Sequence, residues 1–463
     1  MIRTSCAVTK NRPLYFSALI GMGFLWTGMA YIAQAYRMLG LMDGRTVNLL
    51  VCGLYYGLQA AGIGCVALLF LKRKDLAGSR VLPLCASVAA LIFTAVSLLT
   101  PSLAVIILTG ALLNIAIGIL SGCYLTRLAT DVPQERRGLV FGSAYAFGSI
   151  GTWLFSLPMG GRFLWHSHSF FVITALAILS LLLLRWLSPP TFTGHGTNLP
   201  RGLDKRGIWL AAAVLFLLSM ENMLGFAFPL QSAANSIYIE FTRIFYAAGL
   251  LIAGIVSDKD RRWGAICCLA ALAFPFAALA LGSNVAGETL MWILAYLFLG
   301  FLSVYRVVVF SDISSKAGLP ALAVFGLMFG RLGEALGTLC VSIFAGTPLI
   351  VLSGAVFMLV IGLFSLLYHD LYSTATSPEE AEARRQIEYS NRFGLSTREQ
   401  EVLSLVIRGM SNAEIANALY ITESTVKFHI GNIFKKTGFS SRLELITDYK
   451  MGDKGLSYKS QVK

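Results

Sequence analysis

Charge is what this sequence has least of. Asp, Glu, Lys and Arg make up 13% of its 463 residues, against about 25% in a soluble globular domain. Apolar residues make up 56%, and mean hydropathy is +0.71. A wholly soluble chain is thereby excluded. Metal-ligand spacing is missing as well. The eight cysteines lie at 6, 52, 65, 85, 123, 267, 268 and 340, nearly all inside apolar runs. They read as small, reduced residues of a membrane core, with no metal site. No nucleophile–base pair and no phosphate-binding loop stands out, so the sequence reads as no enzyme, without catalytic residues or a cofactor. A receiver-like segment that could accept a phosphate is also absent.

The shortage of charge is uneven. Up to about Tyr368, long apolar runs alternate with short loops; beyond His369 charges recur every few residues and no run reaches half a bilayer. A spanning helix needs about 20 mostly apolar residues. Twelve runs qualify, at about 13–36, 47–71, 82–99, 102–124, 138–158, 168–187, 208–229, 233–256, 264–283, 289–311, 321–345 and 348–369. Basic residues precede the first run, and Ala33-Gln34-Ala35 resembles a cleavage site, yet the run is longer than a usual signal segment. It reads as an uncleaved first span.

The net charge of +13 suggests nucleic acid, but much of it falls in loops where the positive-inside rule already accounts for it. Lys72, Arg73, Lys74, Arg80, Arg127, Arg136, Arg137, Arg185, Arg201, Lys205, Arg206, Lys259, Arg261, Arg262 and Lys316 fall on one side, and only Arg37, Arg45 and Arg162 on the other. Both termini are therefore expected in the cytoplasm. The expected divisions are a tail at 1–12, a membrane domain at 13–370 with a Pro/Gly-rich cytoplasmic linker at 188–207, a second linker at 371–394, a small helical domain at 395–452 and a tail at 453–463.

A six-plus-six division around a central loop is the layout of a two-repeat carrier. Residues 249–264, GLLIAGIVSDKDRRWG, resemble the loop signature of the major facilitator superfamily through Gly254, Asp258, Arg261 and Arg262. The equivalent first-half loop, FLKRKDLAGSR, is basic but lacks the glycine–aspartate order.

Ionisable residues inside spans are costly and are functional candidates by default. Glu221, Glu240, Arg243, Arg306, Arg331 and Glu334 lie at or near mid-span, all in the second half. Glu240/Arg243 and Arg331/Glu334 are each three apart and can share a helix face. Three readings stand: mutual neutralisation that locks helix packing, a polar pocket for a small ligand, with an acidic one meeting Arg306 or Arg331, or proton coupling as in a pump. In the first half only Gln59 and Asn114 offer polar groups at depth.

The C-terminal segment reads as helices with explicit caps. Ser377-Pro378-Glu379-Glu380 opens a short linker helix of mixed charge. Ser396 with Glu399, and Ser411 with Glu414, fit capping boxes. Gly409 and Gly438 end helices. Thr422 caps a third helix with Val426, Ile430, Ile433 and Phe434 inward; a fourth carries Leu443, Leu445 and Ile446. Two consecutive helices joined by a tight turn, the second turning Lys427, His429, Asn432, Lys435 and Lys436 outward, fit a helix-turn-helix.

The residues also carry a resemblance. Leu395-Ser396-Thr397-Arg398-Glu399, Val402-Leu403, Gly409, Glu414-Ile415-Ala416, Leu419, Thr425-Val426-Lys427, His429, Asn432-Ile433, Lys436 and Arg442 match the LuxR/FixJ-type DNA-binding domain. The resemblance implies a sequence-reading helix at about 423–437. There Lys427 and Phe428 approach base edges, Thr425, Lys435 and their neighbours hold phosphates, and the fourth helix pairs two copies. Gly431 in mid-helix and Thr437 in place of a usual leucine depart from the pattern.

The fold class expected is all-α: a polytopic bundle of six plus six spans followed by a four-helix, LuxR-type helix-turn-helix domain. The function expected is one-component transcriptional regulation from a bacterial plasma membrane. The bundle senses a small ligand or membrane signal, and the tail binds double-stranded DNA as a homodimer. The alternative is a major-facilitator-type transporter with a regulatory or vestigial DNA-binding tail.

Overall fold

The computed structural model describes residues 12–156, 169–185, 205–228, 244–281, 285–372 and 378–451. They form two compact units, Met1–Tyr372 and Ser373–Lys463. The described residues are helical throughout, without strands.

In the first unit each of the twelve apolar runs contains a helix. These are α1 (Arg12–Leu39), α2 (Gly44–Lys72), α3 (Val81–Leu99), α4 (Leu103–Asp131), α5 (Arg137–Ser156) and α6 (Ser169–Leu184). The second set is α7 (Lys205–Gly225), α8 (Ile244–Lys259), α9 (Arg261–Ala280), α10 (Val285–Ala317), α11 (Phe325–Ile343) and α12 (Thr347–Tyr372). Ten helices are long and apolar enough to cross a membrane, and α6 is a shorter apolar helix. Large apolar side chains such as Leu14, Phe171 and Ile343 stand on the outside, as a bilayer requires and water does not permit over a whole surface.

The packing repeats with a period of six helices. In the first half α1 packs on α5, and α2 and α3 both pack on α4; in the second, α7 packs on α11, and α8 and α9 both pack on α10. The halves meet where α5 packs on α8 and α2 on α11. Small residues permit these crossings, because helices in lipid associate through close backbone contact. At Gly62 of α2 an added Cβ would lie 2.3 Å from the Ile115 carbonyl oxygen, and at Gly118 of α4, 2.2 Å from that of Gln59. The equivalent pair in the second half is Gly249 of α8 and Gly300 of α10, where the added Cβ of Gly300 would lie 2.3 Å from the Gly249 carbonyl carbon.

The second unit holds α13 (Pro378–Phe393), α14 (Thr397–Ile407), α15 (Asn412–Leu419), α16 (Glu423–Thr437) and α17 (Arg442–Met451). Both capping boxes form, at Ser396/Glu399 and Ser411/Glu414, and Thr422 caps α16 by accepting from the Thr425 amide. Gly409 (φ 83°) and Gly438 (φ 75°) take the left-handed conformation just past helix ends. The core comprises Val402, Leu403, Val406, Ile415, Val426, Ile433 and Leu445, with Ala416 and Ile430 beside them. Two expectations change. Leu443 does not join this core but is 74% exposed; α17 buries Leu445 and Tyr449 instead. The segment read as a linker contributes Tyr389, whose ring meets that of Tyr449 at 5.1 Å and whose hydroxyl donates to Asp448 at 3.0 Å. Helix α13 is thus part of the domain core.

Candidate functional site

Two places concentrate chemistry: helix α16 in the second unit and a cavity between the halves of the first. On α16 the apolar positions Val426, Ile430 and Ile433 are buried, which turns the other face to solvent at a period of 3.6. Lys427, Phe428 and Lys435 are exposed, and Thr425, His429 and Asn432 are half-buried on the same helix. Phe428 is 64% exposed, an apolar ring among cations. Such a face presents donors to phosphate and guanine edges and an apolar surface to a thymine methyl.

Lys436 is placed differently from its neighbours. Its ammonium donates to the Glu399 carboxylate at 2.6 Å and to the Gly394 carbonyl at 3.0 Å, tying α16 to the cap of α14. Arg442 likewise donates to the Met410 carbonyl and to Asn412. Burial alone would push the Glu399 carboxyl up, but Lys436 and the Ser396 amide and hydroxyl outweigh it and hold it below the usual carboxylate range. A depressed folded-state pKa means stability that is fully present above the unfolded value, about 4.3, and is lost as pH falls through the folded value. The thermal midpoint of the second unit is therefore expected to be level from pH 7 to about 5 and to fall below that. Glu399→Gln lowers the midpoint at pH 7 and flattens the acid limb; an unchanged acid limb would show that this carboxylate contributes nothing.

Gly431 has open space where a side chain would stand, with no atom within 4 Å of an added Cβ. Glycine in a helix interior costs about 1 kcal/mol relative to alanine. Gly431→Ala is expected to raise the midpoint of this unit by about 4–8 °C, the response of a small domain to 1 kcal/mol. A fall on calorimetry would mean that α16 is strained at this position.

The membrane unit contains a partly open cavity of about 580 Å³. It is lined from α1, α2, α4 and α5 of one half and α7, α8, α10 and α11 of the other. Of the six mid-span candidates, Arg306, Arg331 and Glu334 meet here. Arg306 donates to Glu334 Oε1 at 2.6 Å across helices, and Arg331 to Oε2 at 2.7 Å along α11. Arg331 also lies 4.3 Å above the Tyr56 ring of the other half. Glu221 is buried on α7 and accepts from the Ser353 hydroxyl of α12 at 2.5 Å; it is not among the residues lining the cavity. Glu240 and Arg243 lie outside the described residues. In the first half Gln59 donates to Asn114 at 2.6 Å, so the two polar groups at depth satisfy each other.

A second charged cluster joins the halves at the ends of α4, α5, α8 and α10. Asp258 Oδ1 and Oδ2 accept from the Gly138 and Leu139 amides, each at 2.7 Å, at the start of α5. Arg261 bridges Asp258 and Asp312, at 2.8 Å to each, and Arg137 donates to Asp312 at 2.8 Å. Asp258 and Arg261 were legible in the loop signature; Arg262 instead lies 3.9 Å from exposed Asp260. Arg137 and Asp312 were not legible. Asp312 sits one residue past the tenth apolar run, and Arg137 reads as one more cytoplasmic cation. A carboxylate at a helix N-terminus satisfies orphan amides and the helix dipole together, so the cluster fastens one half to the other at that end.

Comparison with known proteins separates the same two parts. Residues 394–448 match the family described as bacterial regulatory proteins, luxR family. The chain is 43% identical over 53 residues to the probable csgAB operon transcriptional regulatory protein of Salmonella typhimurium, covering 11% of this chain and 24% of that one. It is 46% identical over 50 residues to the nitrate/nitrite response regulator protein NarL of Escherichia coli, covering 11% and 23%. The chain thus spans about a quarter of the length of these relatives, 24% and 23%. A crystal structure of the human organic anion transporter MFSD10 (TETRAN) superposes with a TM-score of 0.53 at 14% identity, covering 78% of this chain and 99% of that one. Residues 394–448 are a LuxR-type, DNA-binding helix-turn-helix domain, and the membrane-spanning part shares the fold of that transporter structure.

Proposed function

We propose that this chain is a membrane-embedded one-component transcriptional regulator: a small ligand enters the bundle, and the helix-turn-helix domain on the same polypeptide answers on DNA. The observation that carries the reading is the pairing, in one chain, of a charged cavity at the junction of two half-bundles with a LuxR-type helix-turn-helix domain whose Lys427, Phe428 and Lys435 are exposed on α16. A ligand that bridges α1–α5 and α7–α11 binds one arrangement of the halves better than another, and can shift the population only by that difference. The lysine- and arginine-rich loops and both termini face the cytoplasm of a bacterial cell, which puts the reader where DNA is. Thr425, Lys427, Phe428, His429, Asn432 and Lys435 face the duplex, and Lys436 supports them through Glu399.

Two copies pair through α17, where Leu443 is the exposed apolar side chain. Pairing on a two-fold site raises affinity through effective concentration. Leu443→Glu is expected to abolish cooperative binding to a two-half-site duplex and leave single-half-site binding within about twofold; retained cooperativity would place the dimer contact elsewhere.

The test of the reading is genome-wide crosslinking of the intact chain in its membrane. Discrete peaks that change in height on ligand addition support it, and peaks indifferent to every growth condition oppose it. The major-facilitator-like fold favours a second reading, a carrier with a regulatory tail. That reading predicts substrate flux that survives removal of residues 378–463.

A further inference from the structure

Among the described residues the lining of the cavity carries an unbalanced charge. Among its described lining residues the ionisable side chains of fixed charge are Arg306, Arg331 and Glu334, two cations and one anion. Each guanidinium makes one hydrogen bond among the described residues, and both go to Glu334, one to each carboxylate oxygen. A guanidinium has five N–H donors, so among the described residues most remain unused, and the buried Nε of both arginines has no partner among them. Such a charge within a bilayer is expensive unless something completes it. Arg331 is the more accessible of the two, its side chain 18% exposed against 6% for Arg306.

A third of the remaining described wall is aromatic: five tyrosines and three phenylalanines line the cavity. Both halves supply them. Tyr31 and Tyr56 stack nearly parallel at 6.0 Å in one half, and Tyr145 meets Tyr246 of the other half edge-on at 5.8 Å. Flat apolar walls with a few convergent polar groups select a flat apolar body and orient it.

We propose that the ligand of this cavity is a monoanionic aryl carboxylate. Its carboxylate pairs with the free edge of Arg331, and its ring lies between the tyrosines of the two halves. A carboxylate matches the planar fork of a guanidinium in a way that a spherical anion does not. One negative charge brings the described set to neutrality; a cation adds to the excess, a neutral ring leaves it, and a dianion overshoots it. This rests on the ligand-sensing reading above but is separable from it, because binding is measured without DNA.

The experiment uses the full chain in lipid nanodiscs and five probes: naphthoate, its neutral isostere naphthamide, naphthylmethylammonium, naphthalene dicarboxylate and cyclohexanecarboxylate. Affinity is read by equilibrium dialysis, and stabilisation by the shift in thermal midpoint that mass action gives. Naphthoate is expected to bind about tenfold or more tighter than each of the others. Arg331→Gln removes its advantage over naphthamide, and Arg331→Lys, which keeps the charge, retains part of it and reports on folding. Tyr56→Leu narrows the gap between naphthoate and cyclohexanecarboxylate. The proposal is overturned by naphthamide binding as tightly as naphthoate, by preference for the cation or dianion, by no probe binding, or by an acid preference that survives Arg331→Gln. Should naphthoate bind in the expected pattern and leave DNA occupancy unchanged, the ligand class stands and the sensing reading fails.

Discussion

Lys427→Glu is expected to weaken operator binding by about 100- to 1,000-fold while leaving the fold intact. The lysine is exposed on α16 beside exposed Phe428, and its side chain makes no ion pair among the described residues. Loss of a base- or phosphate-directed lysine costs about 1–3 kcal/mol. A carboxylate in its place adds repulsion of comparable size against phosphate. Together these amount to about 3–4 kcal/mol, and each 1.4 kcal/mol is tenfold. The check is a titration of a two-half-site duplex at fixed salt, with far-ultraviolet circular dichroism of the variant alongside. The salt dependence separates two roles for the side chain. A slope reduced by about one unit marks a phosphate contact, whereas uniform relaxation at one base position marks direct readout. Binding within about threefold of the parent, with an intact fold, would remove α16 from the groove.

Glu334→Gln is expected to be among the most destabilising single changes in the membrane unit. The carboxylate holds two guanidiniums, at 2.6 and 2.7 Å, whose side chains are 6% and 18% exposed. Removing the shared anion leaves both cations buried, and breaking a buried pair costs about 3–5 kcal/mol. The comparison that isolates the interaction is a cycle with Arg306→Gln. The double variant returns to one excess cation and is expected to unfold at a higher temperature than Glu334→Gln alone. Additive losses would mean that water or lipid already screens these charges and that Glu334 packs rather than pairs.

Much of the second unit was legible before any coordinates, for a reason visible at Ser396 and Ser411. A capping box closes over three residues, so serine and glutamate at that spacing specify their own hydrogen bonds. Gly409 and Gly438 likewise need only their own backbone conformation. The exposed face of α16 followed from Val426, Ile430, Ile433 and Phe434 at helical spacing, of which the first three are buried and Phe434 is half-buried. Lys436 is exposed as expected of an outward cation, but its tie to Glu399 was not legible because that partner is 37 residues away. The helix that carries Tyr389 read as part of a polar linker because one partner of that tyrosine, Asp448, is 59 residues away.

In the membrane unit the division is sharper. Hydropathy by itself pointed to a chain that crosses a bilayer many times, and ten helices are long and apolar enough to do so; residue spacing determined that Arg331 and Glu334 share a face. Both are consequences of one helix in one solvent. That Glu334 also takes Arg306, that Arg137 and Asp312 lock the two halves, and that Gln59 answers Asn114 were decided only by which helices meet. These partners are separated by 28, 175 and 55 residues, and every one of the spans between them is apolar enough to pack in several orders. The bilayer rewards each span equally wherever it stands; glycine contacts such as Gly62–Gly118 and Gly249–Gly300, which only the assembled bundle displays, select the order.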